Sequence, residues 1–290
     1  MSGISRRDFL TGLSAAAGAA TLGGHFVAAA ETGAKLQSGT DLVTLGRSGL
    51  KPTLLGVGTG TVGGSQQVAM GQAEFTKMIR HALDRGLRYI DTADMYSTHL
   101  FVRLALQGVP REKYFIQTKT TAKNAEVAKA DIDRFLRREL KVDYIDSLLM
   151  HCMTKGSWPT DMRPVMDVLY EAKQKGRVRA VGISCHGFQP LAASLDVDWI
   201  DVQLARINPF GAKMDGPPEK VSEVLQKMHA QGRGVIGMKI YGEDGLGSRE
   251  KRLQSLKYVL GLGCVDAFTI GFTNTQQIDE TLELIQQALA

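Results

Sequence analysis

Four residues of this sequence carry side chains able to pass protons. Each stands at or just beyond the end of a short apolar run: Asp91 and Tyr96 after run 87–90, Lys119 after run 114–118, His151 after run 144–150. Singly they say little, because an aspartate in such a place is more often a helix cap, a lysine a solvated charge and a histidine a satisfied loop residue. The set says more. A tyrosine phenol is neutral up to a pKa of about 10 and becomes a useful proton donor near neutrality only where its phenolate is stabilised. A nearby ammonium supplies that stabilisation, and a carboxylate paired to the ammonium keeps it charged and placed. An imidazole facing the same space donates to a carbonyl oxygen or joins the proton path. The chemistry this set fits is protonation of an oxygen while hydride reaches the carbon that bears it.

For these groups to meet, the runs that carry them must lie side by side. Eight nearly continuous apolar runs occur, at 53–57, 87–90, 114–118, 144–150, 178–183, 199–204, 235–238 and 267–270. Strands buried on both faces read this way. Helical periodicity fills the intervals, as in Phe75, Met78, Ile79, Ala82 and Leu83 or Met162, Val165, Met166 and Leu169. Gly86, Gly176 and Gly232 stand where such helices stop. Eight strand-helix units in a row predict an α/β fold, a closed eight-stranded parallel (β/α)8 TIM barrel whose catalytic groups sit beyond the carboxyl ends of different strands. Residues 42–45 and Leu50, flanking the turn Gly46-Arg47-Ser48-Gly49, predict a short β-hairpin ahead of the first strand.

A competing pattern exists. Gly58-Thr59-Gly60-Thr61-Val62-Gly63 satisfies the G-x-G-x-x-G signature of an open dinucleotide-binding sheet. That signature should open a helix at once, yet helical periodicity begins only near Ala73, and the first acidic candidate after the next strand, Asp91, lies 28 residues past Gly63. In a barrel the same glycines form a flexible first loop near the active face.

Around the four polar residues the sequence resembles the aldo-keto reductases. Gly86-Leu87-Arg88-Tyr89-Ile90-Asp91-Thr92-Ala93-Asp94-Met95-Tyr96 matches their Gly-x-Arg-x-Ile-Asp-Thr-Ala-x-x-Tyr pattern. Arg111-Glu112-Lys113 running into 115–119, and Val142-Asp143-Tyr144-Ile145-Asp146 running into His151, match in the same order, and the likeness extends from about Leu42 to the last helix. The resemblance implies Tyr96 as general acid/base, Lys119 and Asp91 as its tuning pair, and His151 as the group that orients substrate. It also implies a nicotinamide cofactor across the barrel mouth, NADP by family expectation with NAD as the other candidate.

Cofactor contacts carry over less completely. The resemblance assigns Ser184 and Gln203 to the carboxamide, with Cys185 where Asn is usual, and puts Gly58 and Thr59 in the loop beside the site. Met238 or Lys239 would line the side on which relatives often stack a tyrosine. Ile270-Gly271-Phe272-Thr273-Asn274, then Gln277 and Glu280, replace the usual Ile-Pro-Lys-Ser and its following Arg. Amides near Thr273 are expected at a phosphate and Gln277 and Glu280 at the adenine, while the missing Lys and Arg remove the simplest grip on a 2′-phosphate. After Tyr96, Ser97-Thr98-His99-Leu100 replaces the usual Gly-x-x-Glu stretch.

Composition sets the outer limits. A chain of 290 residues, 43% hydrophobic and 22% charged, holds one sizeable core and is neither disordered nor fibrous. The net charge of +5 is scattered rather than blocked, so no nucleic-acid partner is expected. Cys152, Cys185 and Cys264 lack any Cys-x-x-Cys spacing, which excludes the usual zinc-ribbon and iron-sulfur frameworks; no metal site is expected. Ser5-Arg6-Arg7-Asp8-Phe9-Leu10, ahead of an Ala/Gly-rich run ending in Ala28-Ala29-Ala30, looks like a twin-arginine export signal over 1–30, followed by a linker over 31–40 and the barrel domain over 41–290. The run is too glycine-rich for a stable membrane span. Expected partners are a small carbonyl or alcohol substrate and the twin-arginine export machinery, and the expected location is the bacterial periplasm. Two functions of different class stand side by side at this point: a nicotinamide-dependent oxidoreductase, and an exported barrel that binds nucleotide or sugar with little turnover.

Overall fold

The computed structural model describes residues 35–242 and 247–290; the expected export signal over 1–30 lies outside the described residues. Eight strands, β1 (Leu55–Gly58), β2 (Tyr89–Asp91), β3 (Phe115–Thr120), β4 (Ile145–Met153), β5 (Val178–Cys185), β6 (Val202–Arg206), β7 (Gly234–Met238) and β8 (Ala267–Gly271), pair in parallel in chain order, and β8 closes on β1. All eight apolar runs are therefore strands, and the closed barrel is the architecture the sequence predicts. The open-sheet alternative fails on that closure. Gly58 ends β1, and Val62 and Gly63 then take left-handed conformations at φ 50° and 66° within a 3-10 turn, so no long helix opens there.

Helices α1 (Ser65–Ala69) and α2 (Gly71–Asp84) follow β1, α3 (His99–Ala105) follows β2 and α4 (Ala125–Arg134) follows β3. Next come α5 (Trp158–Asp161), α6 (Arg163–Gln174), α7 (Phe188–Ala193), α8 (Pro218–Ala230), α9 (Arg249–Gly261) and α10 (Thr275–Leu289). Their apolar stripes cover the strands: α2 buries Phe75, Met78, Ile79 and Ala82, and α6 buries Val165, Met166, Val168, Leu169 and Ala172. Among the described residues no helix is long and apolar enough to cross a membrane.

The strands approach closely enough that side-chain size is dictated at some positions. A Cβ on Gly182 of β5 would fall 1.9 Å from the carbonyl oxygen of Val202, its partner in β6. Replacing Gly182 by alanine forces the two strands apart and is expected to cost about 1–3 kcal/mol, read as a lowered urea midpoint at unchanged slope. An unchanged midpoint would show that the strands part freely.

Ahead of β1 the predicted hairpin is reduced to a single antiparallel bridge between Leu42 and Thr53, joined through a 3-10 turn at Gly46–Ser48. Val43 N–H donates to Pro52 O at 3.0 Å and Leu45 N–H to Leu50 O at 2.9 Å, as across a hairpin, but Pro52 has no N–H to return the bond, and the rest of the segment is tied to the barrel. Arg47 N–H donates to the carbonyl of Gly232, the hydroxyl of Thr53 accepts from the N–H groups of Arg88 and Tyr89 at 3.2 Å each, and Leu54 O accepts from Phe268 N–H at 2.9 Å. With Leu45, Leu50 and Leu54 buried beneath it, the segment forms a floor across the amino ends of β2, β7 and β8. The end of the expected linker belongs to the same packing. Gly39 O accepts from Leu55 N–H at 2.9 Å, and a Cβ on Gly39 would lie 2.9 Å from Ile285.

Candidate active site

The carboxyl ends of β2, β3 and β4 bring the four polar residues together. Asp91 is the last residue of β2, and Tyr96 follows on a 3-10 turn at Asp94–Tyr96. Lys119 Nζ donates to Asp91 Oδ1 at 2.7 Å and to the carbonyl of Thr92 at 2.8 Å, and Gln117 Nε2 donates to the same Asp91 oxygen at 2.9 Å. The ammonium lies 4.9 Å from the centre of the Tyr96 ring. On the other side His151 meets that ring edge-on, with Nε2 3.4 Å from the phenolic oxygen, which is long for a hydrogen bond. Lys119 is 1% exposed and Asp91 5%, so the ion pair is cut off from bulk water.

Burial dominates the electrostatics. It pushes the Tyr96 phenol above its ordinary value, and the Lys119 ammonium, through its charge and a hydrogen bond, pulls the other way without prevailing. The lysine therefore moderates the phenol rather than taking it below the ordinary range, as its position alone suggests. Burial also depresses Lys119, but the Asp91 carboxylate and the Tyr96 oxygen outweigh it and the ammonium ends above its usual range, firmly charged. His151 goes down to about 2, by burial first and then by the charges of Lys119, His186 and Lys123, and is a neutral imidazole at any working pH.

A neutral buried imidazole has a consequence for stability. Above pH 6.5, the ordinary value, folded and unfolded chains both carry an uncharged ring and the full stability is present. Below it the unfolded chain takes up a proton that the folded chain refuses, so stability is lost as pH falls, at about 1.4 kcal/mol per pH unit. Urea denaturation of the parent and of His151→Asn between pH 7 and 5 should show a shallower pH slope in the variant. Equal slopes would mean that the ring is charged in the folded state.

Tyr96 rests on glycines and is braced by charges. A Cβ on Gly60 would fall 2.3 Å from the phenol ring, and one on Gly64 2.3 Å from the Tyr96 carbonyl oxygen. The glycine-rich pattern of the first loop is thus the bed of the Tyr96 loop, where those two residues leave room for its ring and backbone. Ser97 takes φ 58°, a left-handed conformation that glycine adopts without strain. Two residues before Tyr96, Asp94 receives the guanidinium of Arg134 on both oxygens at 2.8 and 3.0 Å. Three residues after it, His99 bonds Glu139 through Nδ1 at 2.6 Å and the hydroxyl of Thr118, next to Lys119, through Nε2 at 2.7 Å. Arg134 also bonds Glu139, across a π-helical turn at Phe135–Glu139 that turns both side chains toward the Tyr96 loop. Asp94, His99 and Glu139 offer ligand atoms within 4.8 Å of one another, but Arg134 already answers both carboxylates, and the cluster is a brace. Sequence reasoning missed Arg134 and Glu139. The one signal was the replacement at His99.

A cavity of about 300 Å³ begins at Asp91 and Tyr96, passes the ends of β1, β7 and β8, and reaches Arg252 of α9 and Gln277 of α10. Of the residues expected at a cofactor, Gly58, Lys239, Gly271, Thr273 and Gln277 line it. Thr59, Ser184, Gln203 and Glu280 do not. The Thr59 hydroxyl is engaged by the Asp91 carbonyl and by Thr98 at 2.8 Å, the Ser184 hydroxyl accepts from Cys152 N–H at 2.9 Å, and Glu280 pairs with Arg252. Thr273 N–H, expected at a phosphate, donates to Gln277 Oε1 at 2.8 Å, so neither group is fully open to a ligand. Gly60 and Thr61, from the glycine pattern of the first loop, line the cavity too, as does Arg252, which no pattern singled out.

The cavity nevertheless fits an elongated polar molecule such as a nicotinamide nucleotide. Thr269 Oγ1 and Arg252 Nε, on two residues that line it, are buried with no partner among the described residues. Buried polar atoms are otherwise almost always paired, and a ligand supplies what these lack.

Comparison with known proteins bears on what such a site does. The model of the aldo/keto reductase family matches residues 54–258. An L-galactose dehydrogenase from Arabidopsis thaliana is 29% identical over 155 residues, covering 50% of this chain and 48% of that protein. A methylglyoxal reductase from Escherichia coli O157:H7 is 35% identical over 115 residues, covering 37% and 40%. The chain thus spans about half the length, or less, of these curated relatives. The holo form of an aldo-keto reductase from Bacillus halodurans superposes with a TM-score of 0.69 at 20% identity, over 86% of this chain and 95% of that one. A structure described as that of a candidate aldo-keto reductase from Pseudomonas aeruginosa gives 0.74 at 21% identity, over 86% and 96%. At such identities these structures speak for the fold.

Proposed function

The chain belongs to the aldo/keto reductase family, and from that premise we propose that it is an oxidoreductase transferring hydride between a nicotinamide nucleotide and a small carbonyl or alcohol, with Tyr96 as general acid and base. The observation that carries the reading is the buried Asp91–Lys119 pair set beneath a half-buried phenol at the mouth of a cavity with unanswered polar atoms. The bound nucleotide supplies or accepts the hydride. Tyr96 keeps its proton until a carbonyl oxygen beside it gains negative charge, then donates; Lys119 steadies the phenolate that remains, and Asp91 holds Lys119 charged and placed. His151, neutral and adjacent to the same phenol, hydrogen-bonds the oxygen and sets its direction.

The rival reading is a binding barrel with little turnover, favoured by the internal bonding of Ser184 and Thr273. The two readings part in one experiment. The purified protein is mixed with reduced nicotinamide nucleotide and challenged with aldehydes and ketones. Loss of the reduced-nicotinamide absorbance supports the enzyme; nucleotide bound but unchanged across the panel supports the binder. For location, the Arg6-Arg7 leader supports export in the folded state to the periplasm through the twin-arginine machinery, and residues 1–30 fused to a reporter would test it.

A further inference from the structure

The proposed hydride transfer leaves open which adenosine ribose the cavity accepts, and its outer end has a charge pattern that bears on this. No lysine or arginine occurs between Gly271 and Gln277. The cation that reaches this end comes instead from α9: Arg252 lines the cavity, with Nε buried and unpartnered and one terminal nitrogen 2.9 Å from Glu280 Oε1 on α10. Arg249, one turn earlier, lies 4.0 Å from Glu280 and 3.9 Å from Glu283. Among the described residues, two guanidinium groups of α9 thus face two carboxylates of α10. Lys239, the other cation in the lining, stands at the end of β7 and not in this cluster.

We infer that this end of the cavity selects an unphosphorylated ribose, that of NAD(H) rather than NADP(H), through the Arg252–Glu280 pair. The inference rests on the reading of Tyr96 given above, because a reacting carbon at Tyr96 sends the far end of the nucleotide toward Arg252. A 2′-phosphate arriving there must either displace Glu280 from its guanidinium or sit beside a carboxylate of its own sign. A 2′-hydroxyl meets neither obstacle. It accepts from the Arg252 N–H that has no partner and leaves the Arg252–Glu280 pair intact.

The test is equilibrium binding of NADH and NADPH, by calorimetry, to the full chain and to two variants. The parent should bind NADH at least about tenfold more tightly. Glu280→Gln frees Arg252 while keeping the side-chain shape, and should improve NADPH affinity on the order of tenfold. Glu280→Gln combined with Arg252→Met should lose that improvement, since the gain depends on the guanidinium. Thermal melts of all three proteins confirm that each is folded. Tighter NADPH binding by the parent, or an unchanged preference in Glu280→Gln, would overturn the selection while leaving the oxidoreductase reading intact. Binding of neither nucleotide would overturn both.

Discussion

Phenylalanine in place of Tyr96 is expected to lower kcat/KM for carbonyl reduction by about a thousandfold, with nucleotide affinity held within about twofold. The size follows from the absence of a substitute at the phenol. His151 is the neighbouring titratable group, and an imidazole whose pKa has fallen to about 2 carries no acidic proton at working pH. Lys119 is charged, but its protons are committed to Asp91 and to the Thr92 carbonyl. The ring itself stays in place, because Gly60 supports its face and the brace on Asp94 and His99 does not touch the hydroxyl. In the parent, reduction should be level through neutral pH and decline only on the alkaline side, since burial holds the phenol above its ordinary 10. Steady-state kinetics on any accepted aldehyde decide the matter: a variant turning over at the parent rate would remove Tyr96 from the chemistry.

Lys119→Met should do two separable things. It strands the Asp91 carboxylate, 5% exposed, with Gln117 as its one remaining side-chain partner, and an uncompensated charge of that kind costs about 3–5 kcal/mol of stability. It also removes the cation that steadies the phenolate. Adding Asp91→Asn to the same chain removes the stranded charge, so most of the stability should return while the turnover does not. Urea unfolding and rate measurements on the single and double variants separate the two effects; recovery of both together would mean that the pair serves the fold alone. The pair itself should hold through neutral and moderately alkaline conditions. Lys119 is raised above its ordinary 10.5, so its contribution is complete below that pH and is lost only as pH climbs through the higher folded value.

The eight strands could be read from the sequence because a strand covered on both faces is apolar over most of its length, and no distant partner is needed to see that. The ends of those strands were visible to within a residue or two, since a polar residue closing an apolar run announces a boundary: Asp91 closes β2, while β3 runs one residue past Lys119 and β4 two past His151. The hairpin is thinner than its pattern suggests because Pro52 cannot donate to the ladder and the segment also bonds to Gly232 and Arg88, far away in the chain. The brace on the Tyr96 loop was invisible for a similar reason: Arg134 lies forty residues from Asp94, and a π-helical turn, which has no simple residue pattern, sets the direction of Glu139. Thr59 was assigned to a ligand on position alone. Its hydroxyl turned out to be tied to the loop it borders.

The floor laid by residues 42–54 across the amino ends of the strands makes the barrel a cup and not a tube. Under the proposed function, nucleotide and substrate would share one doorway, the first arrival would narrow it for the second, and whichever product lies deeper would wait for the other to leave.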